Sequence, residues 1–311
     1  MPSPEPAPAP TKRLPVEGGI IVAVAVLCLA FQARLPSLLP AEADYLEVQR
    51  VLEAEAVAGD ALLVYPWWAE RVRLFAPERV TVVGYQGSDA DSLELHPRVW
   101  VLSQPDLPKA SWATFWSAFG PQRTAVGQER TFGRLHLQLY QNGRARPVRF
   151  SLTDAIATAQ VYLETPDGQR TPCGWDGRAQ RCPGGNYVAA EWHEVRFQPR
   201  RCLRMFPPGG PTKLVVELPS VPGADTLELM GGFIWDRGYF SDPKYTDTHL
   251  TAQVNGTQVA ALDYPRGRFG LHRVETGAVP AGASLRVATQ TQNPEQRELC
   301  VEAYGFGGAA P

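Results

Sequence analysis

The sequence predicts an α+β multidomain protein: an N-terminal transmembrane helix, a small α/β domain and a C-terminal antiparallel β-sandwich of jelly-roll-like form. Three observations carry this. An uncharged run from Gly18 to Ala33 is rich in Val, Ile, Leu and Ala. Between residues 41 and 142, apolar runs of strand length alternate with segments of helical period, the mark of an α/β layer. From residue 149 to 305, short strand-like runs are separated by Gly, Pro, Asn or Asp at even spacing, the pattern of a sandwich or jelly roll. The parts expected are a disordered cytoplasmic tail (1–17), an anchor (18–39), the α/β domain (41–142), the sandwich (149–305) and a short tail (306–311).

At 311 residues, with 44% hydrophobic and 20% charged residues, the chain can bury real cores. A net charge of −2 with no run of basic residues excludes a phosphate-binding surface and hence nucleic acid as a partner. Only Lys12, Lys109, Lys213 and Lys244 are lysines, and the Arg, Ala and Pro content points to a GC-rich bacterial genome.

Met1 to Pro15 is rich in Pro and Ala and lacks apolar periodicity, so it should be disordered. Lys12 and Arg13 precede the apolar run and place the N-terminus in the cytoplasm by the positive-inside rule. The run falls short of the roughly 20 residues that span a bilayer, unless Arg34 snorkels and Leu35 to Leu39 lie in the interface. A signal peptide cut after Ala30, with Cys28 and Ala30 at the small-residue positions, is the alternative. Either outcome exports the remainder, giving a single-pass protein of the bacterial inner membrane with periplasmic domains.

Outside the apolar run the cysteines are Cys173, Cys182, Cys202 and Cys300. None forms a C-x-x-C, which argues for disulfides over metal. Three connectivities exist. Cys173–Cys182 is favoured because it closes a Gly- and Pro-bearing turn, and Cys202–Cys300 because it ties an early strand to the last.

In the first exported region, Tyr45, Val48, Leu52 and Ala56 give a helix from Glu42 to Val57, stopped by Gly59-Asp60. Ala61 to Tyr65 is a buried strand, Pro66 opens a helix through Leu74, and Val80 to Val83 and Val99 to Leu102 are strands. Ser111 opens a helix bearing Trp112, Phe115, Trp116 and Phe119, and Leu135, Leu137 and Leu139 alternate up to the Asn142-Gly143 turn. The order of an apolar span, Arg34-Leu35-Pro36, an amphipathic helix, Gly59-Asp60-Ala61-Leu62-Leu63-Val64-Tyr65-Pro66 and Arg98-Val99-Trp100-Val101-Leu102 resembles the last membrane span and soluble domain of bacterial dolichyl-phosphate-mannose–protein mannosyltransferase-like enzymes (GT-C glycosyltransferases). The resemblance covers residues ~20–140. That family's catalytic carboxylates lie between its first spans, which have no counterpart here, so no catalytic residue carries over. It implies an accessory or split portion of a lipid-linked-sugar glycosyltransferase, with a membrane glycosyltransferase subunit as partner.

The second region should contain strands at Gln160 to Glu164, Leu214 to Leu218, Thr226 to Met230, His249 to Val254, Gln258 to Leu262, Leu271 to Glu275, Ser284 to Thr291 and Leu299 to Tyr304. Asn255-Gly256 marks a type I′ hairpin. The region resembles the carbohydrate-binding, galactose-binding-like sandwiches appended to exported bacterial proteins. Its loop carries Trp235, Asp236, Arg237, Tyr239 and Phe240, aromatic faces for sugar C–H groups beside charges for hydroxyls, and Trp175 and Trp192 can join it. Asp236, Asp242 and Asp247 are candidate calcium ligands, without EF-hand spacing. Trp67-Trp68 is expected in the core.

No G-x-S-x-G, H-E-x-x-H or phosphate loop occurs, and the five histidines are scattered. His193-Glu194 is an adjacent acid–base pair that a strand sends to opposite faces. The expectation is a non-catalytic periplasmic protein whose sandwich binds or presents envelope glycans.

Overall fold

The computed structural model describes residues 16–66, 70–84, 93–106, 111–195, 198–234, 247–265, 271–295 and 297–308. The apolar run lies in α1 (Val16–Leu38), where Ile20, Ile21, Leu27, Leu29 and Phe31 are all exposed. Among the described residues, no helix is long and apolar enough to cross a membrane. The uncharged run of α1, Gly18 to Ala33, covers about 24 Å of helix against a hydrocarbon core of about 30 Å. The transmembrane helix expected from the sequence is therefore not supported by the structure.

The α/β layer follows. Helix α2 (Glu42–Glu55) buries Tyr45, Val48 and Leu52 at helical spacing. Gly59, at φ +93, turns the chain into β1 (Ala61–Tyr65), all of whose residues are buried. Such a continuous apolar run is what a parallel strand covered on both faces requires. Leu62 and Val64 pack toward α2, while Ala61, Leu63 and Tyr65 pack toward Phe115 and Phe119 of α3 (Trp112–Phe119). With β2 (Thr81–Gly84), β3 (Arg98–Ser103), β4 (Arg123–Phe132) and β5 (Leu135–Asn142), the sheet order is β2-β1-β3-β5-β4. β1 is parallel to β2 and β3, and β5 is antiparallel to β3 and β4. The helix expected from Pro66 is instead a 3-10 turn over Glu70–Leu74, and Trp67 and Trp68 lie outside the described residues.

The second region is a sandwich of two antiparallel sheets. Its strands are β6 (Val148–Ser151), β7 (Gln160–Glu164), β8 (Arg170–Pro172), β9 (Gly174–Trp175), β10 (Ala179–Arg181), β11 (Tyr187–Val195), β12 (Gln198–Phe206), β13 (Lys213–Leu218), β14 (Thr226–Phe233), β15 (Thr248–Val254), β16 (Thr257–Tyr264), β17 (His272–Thr276), β18 (Leu285–Thr291) and β19 (Leu299–Phe306). The larger sheet runs β17-β14-β19-β12-β11-β10-β9, with β6 also on β19; the smaller runs β16-β15-β18-β13-β7-β8. Leu203, Met205, Leu229 and Val301 of the first meet Leu214, Val216, Leu250 and Val287 of the second in one core. Gly305 lets that core close, because a Cβ there would lie 2.1 Å from the Phe150 ring. Asn255 (φ +50) and Gly256 (φ +78) make the expected hairpin turn between β15 and β16. Both disulfides, Cys173–Cys182 and Cys202–Cys300, are formed with the favoured connectivity, and Cys28 is a free, exposed thiol on α1.

The α/β layer docks on the outer face of the larger sheet. Leu95 packs against Met230, Tyr304 and Phe306. Arg146 lies over the Phe306 ring at 3.9 Å and pairs with Glu275 at 3.1 Å, Glu228 at 3.4 Å and Glu94 at 3.7 Å. Burial pushes the Glu228 carboxyl above the usual range, against the pull of Arg273 and Arg146.

Candidate functional site

Beside this contact lies a cleft of about 140 Å³, walled by both units. Strand alternation builds its sandwich wall. In β12, Arg200 and Arg201 point to opposite faces, and register sets them across from His193 and Trp192 of β11. On the outer face, next to the Cys202–Cys300 disulfide, Arg200 Nη1 donates to Glu302 Oε1 at 3.0 Å. Tyr304 Oη donates to Glu302 Oε2 at 3.0 Å. Glu302 is 3% exposed, so both its oxygens are engaged and its charge is matched where water does not reach. Burial, followed by the neighbouring Glu302 charge, pushes the Tyr304 phenol far above its ordinary value, so it stays a donor.

Nearer solvent, Arg201 pairs with Asp154, and Trp192 presents an indole that is 55% exposed. The turn after β6 supplies Ser151, whose Oγ accepts from the Asp154 N–H at 3.3 Å. It also supplies Thr153, whose buried Oγ1 has no hydrogen-bond partner among the described residues. From the α/β layer come Thr81 and Val83 of β2, Leu95 and His96. His96 Nδ1 lies 2.8 Å from the Gly59 carbonyl oxygen, which can only accept, so Nδ1 carries the proton and Nε2 is left as an acceptor. Burial pushes the imidazole below its ordinary range, and the ring is neutral at pH 7.

Glu302 is committed to Arg200 and Tyr304, and among the described residues neither Ser151 nor Thr153 has its hydroxyl bonded to a histidine or carboxylate. In a larger cavity of about 340 Å³ along β7 and β8, Gln180 Nε2 donates to the Ile156 carbonyl, and Tyr162 Oη donates to Glu217.

Of the residues singled out in the sequence, Trp192 lines the cleft and Trp175 does not. Trp175 sits on the edge strand β9, 42% exposed, and lies about 16 Å from Trp192 by strand spacing and rise. Trp235, Asp236, Arg237, Tyr239, Phe240 and Asp242 lie outside the described residues, and Asp247 is exposed just before β15. Among the described residues, no group of three or more His, Cys, Asp or Glu is placed to hold a metal ion. His193 Nε2 lies 3.1 Å from Glu191 Oε2 on its own face of β11, while Glu194 faces the other way. Sequence reasoning missed Thr81, His96, Thr153, Arg200, Arg201 and Glu302, which share no local motif.

No family model and no curated protein matches the sequence. The resemblance of residues ~20–140 to the mannosyltransferases therefore stands without support. Several solved structures resemble parts of the fold. A carbohydrate-binding module (CBM51-2) with INT domains from Clostridium perfringens ZmpB has 10% identity and a TM-score of 0.24, over 47% of this chain and 26% of that one. Tandem CBM51 modules of a family 98 glycoside hydrolase from Streptococcus pneumoniae have 9% identity and a TM-score of 0.25, over 46% and 35%. A CBM51 from Clostridium perfringens GH95, in complex with methyl-galactose, has 8% identity and a TM-score of 0.22, over 47% and 77%. The chain spans about a quarter of the length of the first of these. Scores this low carry no argument about ligand or site.

Proposed function

We propose that this chain is a non-catalytic protein that binds envelope glycans through its β-sandwich and is held at a membrane by α1, with its folded domains in the periplasm. The observation that carries the binding reading is the exposed Trp192 indole beside the Arg201–Asp154 pair at the mouth of the cleft. An indole face takes the C–H face of a sugar ring, and the flanking charges bond its hydroxyls. The full chain in detergent should bind members of an arrayed panel of bacterial envelope glycans. Trp192→Ala should weaken that binding by at least about tenfold, the cost of losing a central aromatic anchor. A silent panel, or full binding by the variant, would falsify the reading.

The membrane reading is supported by the exposed apolar side chains of α1 and by the two disulfides, which persist in oxidising compartments. A reporter enzyme active only in the periplasm, fused after Pro311, should be active in membrane fractions. Deleting residues 18–34 should remove the chain from that fraction. An intact chain recovered in the cytosol with reduced thiols refutes the placement.

A further inference from the structure

We infer that the cleft between the α/β layer and the sandwich is a composite site that takes one neutral sugar residue at the end of a glycan chain. This rests on the glycan reading above and goes beyond it in naming the unit bound and the second wall.

Size sets the first limit. A cavity of about 150 Å³ accommodates a single benzene-sized ring. At about 140 Å³, this open cleft has room for no more than one sugar ring, bulkier than benzene and seated partly in its mouth, and not for a run of them. The rest of the glycan must leave past Trp192, on the solvent side.

Charge sets the second. The two guanidiniums of the site face two carboxylates, Arg200 with Glu302 and Arg201 with Asp154. With each guanidinium matched by a carboxylate, the site offers no net positive charge, so an anionic sugar would be desolvated without compensation. A neutral ring bears no such cost.

Hydrogen bonding sets the third. His96, whose Nε2 is an acceptor, and the hydroxyl-bearing Thr81 and Ser151 line one small volume. Sugar hydroxyls both donate and accept, so they complement such a mixed set.

Thr81, Leu95 and His96 come from the α/β layer, so the site exists only where that layer is docked. The α/β unit is then part of the receptor and not a spacer.

The test is isothermal titration of the full chain in detergent with methyl glucoside, methyl galactoside, methyl glucuronide and neutral oligosaccharides ending in glucose or galactose. One neutral methyl glycoside should bind within about threefold of the oligosaccharide with the same terminal residue, and the glucuronide at least about tenfold more weakly. Thr81→Trp, which fills the cleft from the α/β side, should weaken binding by at least about tenfold, while Trp175→Ala leaves it unchanged. Leu95→Trp, placed on the same wall outside β2, repeats the test should Thr81→Trp fail to show a wild-type melting profile. Affinity that climbs with chain length, a preference for the glucuronide, or binding indifferent to both cleft-filling variants yet lost in Trp192→Ala overturns the composite site while leaving glycan binding intact. Failure of every sugar, together with a silent glycan panel, overturns both.

Discussion

Replacing Glu302 with alanine is expected to lower the stability of the sandwich by about 3–5 kcal/mol, the usual cost of removing one partner from a buried ion pair. Glu302 is 3% exposed, the Arg200 side chain 11%, and both carboxylate oxygens are bonded. The variant leaves a guanidinium in a site that water reaches poorly and deprives the Tyr304 hydroxyl of its acceptor. Glu302→Gln keeps the shape and one acceptor and should lose less. Urea unfolding followed by far-UV circular dichroism measures both. A loss under about 1 kcal/mol in the alanine variant would mean that the pair is solvated as surface pairs are. The same substitution should distort the cleft, because Arg200 lines it.

The second large effect is expected at the disulfides. Cys202 and Cys300 are 98 residues apart, and closing a loop of that length restricts the unfolded chain by about 4.7 kcal/mol in the chain-entropy model. The Cys173–Cys182 loop, with a separation of 9, gives about 2.6 kcal/mol. Cys202→Ala with Cys300→Ala should therefore cost about 2 kcal/mol more than Cys173→Ala with Cys182→Ala. Denaturant midpoints of the two double variants, without reductant, decide the ordering. Equal losses, or a larger loss for the short loop, would show that loop length does not control the effect. Because Cys202 and Cys300 sit beside Arg200 and Glu302, their removal and Glu302→Ala should not add.

The elements that were legible in the sequence are those with one buried face. Strands β7 and β13 to β19 alternate or run apolar because each lays side chains into the shared core, and α2, β1 and α3 carry the periodicity of a covered layer. What escaped is explained by the same rule. Strand β4 is an edge strand with most of its residues exposed, so no apolar period marks it. The β11–β12 pair carries Glu191, His193, Arg200 and Arg204, partly buried charged and polar residues held by ion pairs that no local pattern announces. The cleft was illegible for a further reason. Its groups come from residues 81–96, 151–154, 192–201 and 302–304, and only the register of β11, β12 and β19 and the docked α/β layer bring them together. Trp192 could be picked out as an aromatic residue, but nothing nearby in sequence announced its neighbours.

Strand β19 pairs with β14, β12 and β6 at once. During synthesis from the N-terminus, the ribosome delivers every neighbour of this strand before the strand itself. Until it emerges, the larger sheet exists as separate ribbons whose open edges have nothing to zip to. Completion of the larger sheet therefore waits for β19, whose arrival joins ribbons formed earlier into one continuous layer.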